Sequence, residues 1–146
     1  MRQFALLIVL LVALAGCAGV GTPTTSNSTA GASPAEGVVR QWVDAYNKAD
    51  LATVMNLLTP DATLIPLNAT KTYQGADTLR DLFNGDFPYG VQIRLDKVQA
   101  NGDTVVGDAT LWSTKKGAFP DTPVQYTWTV KGDKIAAIAI KHRQGN

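Results

Sequence analysis

The chain of 146 residues is long enough for one domain, and its thirteen Lys and Arg against twelve Asp and Glu give a formal net charge of +1. Such a near-neutral chain has no basic field to attract nucleic acid, so we expect no nucleic-acid partner. A single Cys and a single His exclude an internal disulfide and both Cys-rich and His-pair metal sites, and no Gly-rich phosphate loop is present. We therefore predict no metal and no cofactor.

The N-terminal residues have the order of a secretory leader. Arg2 gives a positive start, a continuous apolar run follows that is too short to span a membrane, and small residues then precede Cys17. The phrase Leu14-Ala15-Gly16-Cys17 resembles the lipobox of bacterial lipoproteins.

This resemblance implies a lipoprotein signal peptide over residues 1–16 and lipid attachment to Cys17, whose acyl chains would hold the protein on the membrane. The protein would then be secreted across the cytoplasmic membrane and anchored to the cell envelope. The alternatives are a chance Cys after an ordinary signal peptide and a buried, apolar Cys.

The next segment is predicted to be a tether. Residues 18–32 are rich in Gly, Ser, Thr and Ala and contain neither a charged nor an aromatic residue, so we expect residues 17–32 to form a flexible link. The folded domain is predicted to span residues 33–146. It starts at Ser33-Pro34-Ala35-Glu36, which has the pattern of a helix capping box with Pro at the first helical position.

Hydrophobic spacing and turn signals predict the remaining elements. In chain order they are a helix over 34–48, a helix from Leu51 to about Pro60, a strand over 62–67, a helix over 75–83, a loop over 84–90, and strands over 91–99, 104–115, 124–131 and 134–142. The order ααβαββββ predicts an α+β domain with an antiparallel sheet.

Segments 38–51, 60–64, 73–83 and 130–135 resemble SnoaL-like proteins of the nuclear-transport-factor-2-like superfamily. The resemblance implies a cone-shaped, strongly bent antiparallel sheet wrapped on three N-terminal helices, with an apolar pocket at the wide end. It also implies a homodimer formed through the outer sheet face. Because this fold hosts isomerases, cyclases, dehydratases and members without known catalysis, the resemblance does not choose a function.

Ketosteroid isomerase shares this fold and uses an Asp base with a Tyr and a protonated Asp as oxyanion donors. Alignment on the shared segments places Trp42 at the isomerase Tyr, Pro66 at its base, and Tyr126 at about the protonated Asp. Since proline cannot accept a proton, that isomerisation mechanism is rejected for this chain.

The same alignment implies which side chains face the pocket. A period of two groups Asp108 with Trp112 on the long strand, and Ile140 with His142 on the last. The six residues expected to bind ligand are Trp42, Tyr46, Asp108, Trp112, Tyr126 and His142. Alternatively, Trp42 and Tyr46 belong to the core, Asp108 lies at a bend after Gly107, and His142 is solvated near the C-terminus.

Two functions remain open. The first is a tethered module that binds an apolar small molecule or a partner without catalysis, which the missing isomerase base favours. The alternative is an enzyme of the cyclase, dehydratase or isomerase kind, in which Asp108 and His142 act as an acid–base pair.

Overall fold

A computed structural model describes residues 32–68 and 70–143, so the predicted signal peptide, Cys17 and all but the last residue of the predicted tether lie outside the described residues. Among the described residues, no helix has both the length and the apolar character that a membrane span requires. The elements in chain order are α1 (Pro34–Asn47), α2 (Leu51–Asn56), β1 (Leu58–Ile65), β2 (Tyr73–Gln74), α3 (Ala76–Asp86), a 3₁₀ turn (Phe87–Tyr89), β3 (Val91–Asn101), β4 (Thr104–Ser113), β5 (Thr122–Lys131) and β6 (Lys134–His142).

The strands form one curved, six-stranded sheet in the order β2-β1-β6-β5-β4-β3, with the helices packed on its inner face. The predicted α+β class and the C-terminal meander are confirmed. One pair differs from the antiparallel expectation, because β1 runs parallel to β6. The helix α3 and the whole meander separate these two strands along the chain, so no tight turn fixes their relative direction. The two-residue strand β2 is too short to show a pattern in the sequence.

Helix α1 begins as the sequence predicts. The Ser33 side chain accepts a hydrogen bond from the Glu36 backbone N–H (3.1 Å), and Pro34 occupies the first turn. The Glu36 carboxylate pairs with Arg40 one turn later. The N-cap therefore satisfies one of the free N–H groups of the helix, and an ion pair along the helix replaces the second half of the capping box.

Helix α2 is shorter than predicted, and Pro60 lies inside β1 rather than ending a helix. The pairing of β1 with β6 shifts register between Leu58 and Thr63. A proline, which lacks an N–H, is tolerated at such an irregularity because the ladder there requires no hydrogen bond from it. The sequence signal for a break is real, but the break is in a strand.

Helix α3 continues to Asp86, beyond the end predicted at Phe83, and it includes three of the seven residues of the predicted loop over 84–90. Phe83 is fully buried, and Phe87 packs against the same core four residues later. This i, i+4 pair gives the extra turn a packed face that offsets the low helix propensity of Gly85. The extension determines where Asp86 lies.

The core lies between the helices and the concave face of the sheet. On β4 the inward positions include Val105 and Ala109, and on β5 they include Tyr126 and Trp128, all of them buried. Their neighbours in sequence alternate to the outer face. The inner face of the same strands therefore forms the wall of any cavity in the cone.

Candidate ligand-binding site

A cavity of about 270 Å³ opens between α1, α3 and the inner face of the sheet. Its wall is apolar and aromatic apart from one carboxyl group and two phenol hydroxyls. The lining residues are Trp42, Tyr46, Leu64, Pro66, Leu67, Leu82, Phe83, Asp86, Val91, Leu111, Phe119, Tyr126 and Ile140. A few polar groups in an apolar concavity are typical of small-molecule sites.

The main polar feature of the cavity is a hydrogen-bonded pair. The Tyr46 hydroxyl on α1 donates to Asp86 Oδ2 at the end of α3, with 3.1 Å between the oxygens. Burial raises the pKa of Asp86 above its ordinary value, and the hydrogen bond from Tyr46 opposes the shift. The pKa of Tyr46 is raised mainly by burial and further by the charge of Asp86. Tyr46 is therefore a neutral donor at any physiological pH.

Tyr126 adds a second phenol to the wall. Burial raises its pKa, and the nearby charge of Asp86 raises it further, so this hydroxyl is also neutral. Its ring stacks on Trp128 with 4.8 Å between centroids. The position of the hydroxyl is therefore fixed by packing from β5.

Aromatic contacts also hold Tyr46 in place. Its ring stacks on Trp42 at 5.4 Å between centroids and meets Phe83 and Phe87 edge-on at 5.9 and 5.3 Å. Such pairs favour defined geometries, so they orient the hydroxyl toward Asp86. The indole N–H of Trp42 is buried and has no partner among the described residues, so Trp42 contributes ring surface to the site.

The structure brings three of the six predicted site residues to the cavity wall: Trp42, Tyr46 and Tyr126. Pro66, the residue aligned with the isomerase base, lines the same wall. Ligand binding by these residues remains a prediction.

Asp108 and Trp112 do not face the cavity, and here the predicted placement is wrong. Asp108 Oδ1 accepts a hydrogen bond from Gln125 Nε2 (3.0 Å), its cross-strand neighbour on the outer face. Trp112 lies on the same outer face, opposite Gln92. The period of two is correct, but alternation alone does not say which set points inward. Leu111 is the β4 residue that lines the cavity.

His142 follows Ile140 on the inner face of β6, but its side chain is exposed at the end of the strand. Its Nε2 lies 3.0 Å from Asn68 Oδ1. Because Asp108 lies on the outer face, the predicted acid–base pair of Asp108 and His142 does not form. Among the described residues, no three His, Cys, Asp or Glu side chains are grouped as a metal site would require.

The prediction from sequence missed Asp86 because residues 84–90 were expected to be a loop. The available signal was its spacing: Asp86 follows Phe83 by three residues, so on a continuing helix it lies on the same face as Phe83.

Comparison with known proteins agrees with this architecture. The model of the SnoaL-like domain family matches residues 39–138, and the chain belongs to that family. No curated protein matches the sequence significantly.

Three solved structures illustrate the fold. One is the epoxide hydrolase/cyclase-like enzyme SalBIII, which has a role in pyran ring formation in the polyether salinomycin. It is 17% identical to this chain with a TM-score of 0.67, and the match covers 75% of this chain and 91% of that chain. An NTF2-like protein of unknown function from Cytophaga hutchinsonii is 10% identical (TM-score 0.63, 75% and 89% covered). A protein with a ketosteroid isomerase-like fold from Catenulispora acidiphila, in complex with trimethylamine, is 19% identical (TM-score 0.61, 70% and 82% covered). At these identities the likeness shows the fold alone.

Proposed function

We propose that this protein is an envelope-anchored lipoprotein whose SnoaL-like domain binds a small, largely apolar molecule in the cavity. The observation that carries the proposal is the cavity itself, in which an apolar and aromatic wall surrounds one hydrogen-bonded pair, Tyr46–Asp86. An apolar wall supplies affinity by excluding water, and one fixed polar pair supplies orientation.

Filling the cavity tests this proposal. Leu111 lines the cavity, whereas Val106 lies on the outer face of the same strand, so Leu111→Trp and Val106→Trp add bulk on opposite sides of β4. Native mass spectrometry of the purified full chain should show a bound small molecule, or uptake from a library of apolar compounds, in wild type and Val106→Trp but not in Leu111→Trp. A wild-type chain that binds no member of the library would contradict the proposal.

The anchor is the second part of the proposal, and the phrase Leu14-Ala15-Gly16-Cys17 supports it. Replacement of the thiol in Cys17→Ser should release the domain from the membrane fraction or leave an unprocessed precursor. The measurement is cell fractionation together with intact mass. Identical fractionation of both chains, with no acyl mass on the wild type, would refute the lipoprotein assignment.

A second candidate function is proton-transfer catalysis, and the placement of Asp86 favours it. A carboxyl group with a raised pKa in an apolar cavity is suited to act as a general acid or base. In this alternative Asp86 replaces the predicted pair of Asp108 and His142. If this alternative holds, a screen of bulky carbonyl compounds should find one that the wild-type chain converts. Asp86→Asn should abolish this turnover, and Asp108→Asn should preserve it. Binding without turnover would contradict catalysis and support the non-catalytic binding function.

A further inference from the structure

The charge of the cavity is unbalanced. Asp86 is its one ionisable carboxyl group, and no Lys, Arg or His is found among the lining residues. Within residues 32–68 and 70–143, the ion pairs join other residues, and the one side-chain hydrogen bond to Asp86 comes from the neutral Tyr46 hydroxyl. This half-buried carboxylate therefore has no positive partner to offset its partial loss of hydration.

The wall around Asp86 is suited to a positive ligand. Five of the lining residues are aromatic: Trp42, Tyr46, Phe83, Phe119 and Tyr126. Aromatic rings attract cations through their quadrupole, and the attraction is stronger where water is excluded. The carboxylate and the rings thus favour the same sign of ligand charge.

The scarcity of hydrogen-bond acceptors narrows the kind of cation. A primary ammonium carries three N–H donors, which water satisfies fully. In the cavity these donors would find only one free carboxylate oxygen and two phenol oxygens as acceptors. An alkylated ammonium presents methyl groups, which an apolar wall accommodates without hydrogen bonds. A neutral carbonyl ligand fits less well, because the Tyr46 hydroxyl already donates to Asp86. Such a ligand can accept a hydrogen bond from Tyr126, but it leaves the carboxylate uncompensated.

Resting on the binding function proposed above, we propose that the cavity takes a ligand with a small alkylated ammonium group, held beside the Asp86 carboxylate among the aromatic side chains. The volume of about 270 Å³ equals that of about nine liquid water molecules. This space accommodates a trimethylammonium head with a short tail.

A pair of ligands of equal shape tests the inference. Choline and its neutral isostere 3,3-dimethylbutan-1-ol differ by nitrogen in place of carbon, so their affinity ratio isolates the effect of charge. Isothermal titration of the purified full chain should show choline binding about tenfold more tightly than the isostere. Asp86→Asn should bring the two affinities within about threefold, and Asp108→Asn, on the outer face, should leave the preference unchanged.

Each ratio is measured within one variant, so a general loss of folded protein does not alter it, and circular dichroism checks the fold of each chain. An isostere that binds as tightly as choline would overturn the cation inference and leave the proposed apolar binding function intact. Binding of neither compound at millimolar concentration would also overturn it, and the cavity-filling variants then decide the binding function separately. A choline preference that persists in Asp86→Asn would show that Asp86 is not the partner of the cation.

Discussion

The carboxyl group of Asp86 lies where its charge is unfavourable. Burial raises its pKa, and the hydrogen bond from Tyr46 only partly offsets this. The folded state therefore binds the proton more tightly than the unfolded state. The stability contributed by protonated Asp86 is fully present below the unfolded pKa and is lost as the pH rises through the folded pKa. At neutral pH the carboxylate therefore lowers the free energy of unfolding.

We expect Asp86→Asn to raise the free energy of unfolding at pH 7, because the amide can still accept the Tyr46 hydrogen bond but carries no charge. The gain should shrink as the pH falls through the raised pKa of the folded state, and it should be gone below the ordinary Asp pKa of about 3.9, where the wild-type group is protonated in both states. Urea denaturation over a pH series measures this difference. Asp108→Asn is the matched control, and lower stability of Asp86→Asn than of wild type at pH 7 would contradict the prediction.

Asn47 is a residue that the sequence did not single out. Its side chain bonds both backbone groups of Ile93: Nδ2 donates to the Ile93 carbonyl (2.8 Å), and Oδ1 accepts from the Ile93 N–H (2.7 Å). Ile93 is buried on β3, an edge strand of the sheet. The Asn47 amide thus makes the two hydrogen bonds that a neighbouring strand would make at this free edge, and it joins α1 to the sheet.

Asn47→Ala should therefore lower the free energy of unfolding by about 2 kcal/mol, since it removes two hydrogen bonds and leaves buried backbone groups without partners. Gln41→Ala, an exposed position on the same helix, should stay within about 0.5 kcal/mol of wild type. Thermal or urea denaturation measures both. Equal effects of the two substitutions would show that the amide bridge contributes nothing.

At the scale of elements, the close contact between β4 and β5 requires a glycine at position 107. Gly107 on β4 lies under Trp128, and a Cβ at this position would come within 2.9 Å of the Trp128 ring. Trp128 is fully buried and stacks on Tyr126, so it has little room to move. The absence of a side chain at Gly107 lets the stacked pair lie flat on the inner face of the sheet.

Gly107→Ala should lower the free energy of unfolding by about 1–3 kcal/mol through overpacking. Gly85 in α3 offers the opposite case, because a Cβ there would meet no atom within 4 Å. Gly85→Ala should raise the free energy of unfolding by about 0.5–1 kcal/mol, since alanine loses less backbone entropy in a helix. Urea denaturation of both variants measures whether their free energies of unfolding change in opposite directions. A Gly107→Ala variant more stable than wild type would refute the close contact with Trp128.

At the scale of the whole molecule, the outer sheet face is the surface on which the resemblance predicts a homodimer. The strand register aligns Ile65, Ala139, Thr127 and Val106 in one row across β1, β6, β5 and β4. The row contains no charge, and rows of this kind suit contact between two sheets. The dimer stays a prediction.

If the dimer forms through this row, Thr127→Arg should convert it to a monomer, because two copies of the new charge would meet near the two-fold axis. Light scattering after size exclusion at tens of micromolar protein measures the molar mass. Lys131→Arg, at the end of the same strand, is the control and should leave the mass unchanged. A wild-type monomer under these conditions would contradict the prediction.

Much of the fold follows from local sequence. The Ser33 cap, the apolar spacing of α1 and the turn signals between the last strands indicate α1 and the β3–β6 meander, and the bounds of β6 agree with the prediction. Signals that depend on one position were less decisive. Pro60 marks a break, but a proline does not specify whether the break is in a helix or a strand.

The candidate site was only half accessible from the sequence. Family resemblance placed Trp42, Tyr46 and Tyr126 on the cavity, and helical spacing already put Trp42 and Tyr46 on the packed face of α1. Tertiary structure alone decided that Asp108 faces outward and that Asp86 faces inward. Alternation along β4 defines two faces, and only the helices packed against the sheet determine which one is covered. The last turn of α3 forms because Phe83 and Phe87 both pack against Tyr46 of α1, and the i, i+4 spacing of the two phenylalanines does not by itself identify that distant partner.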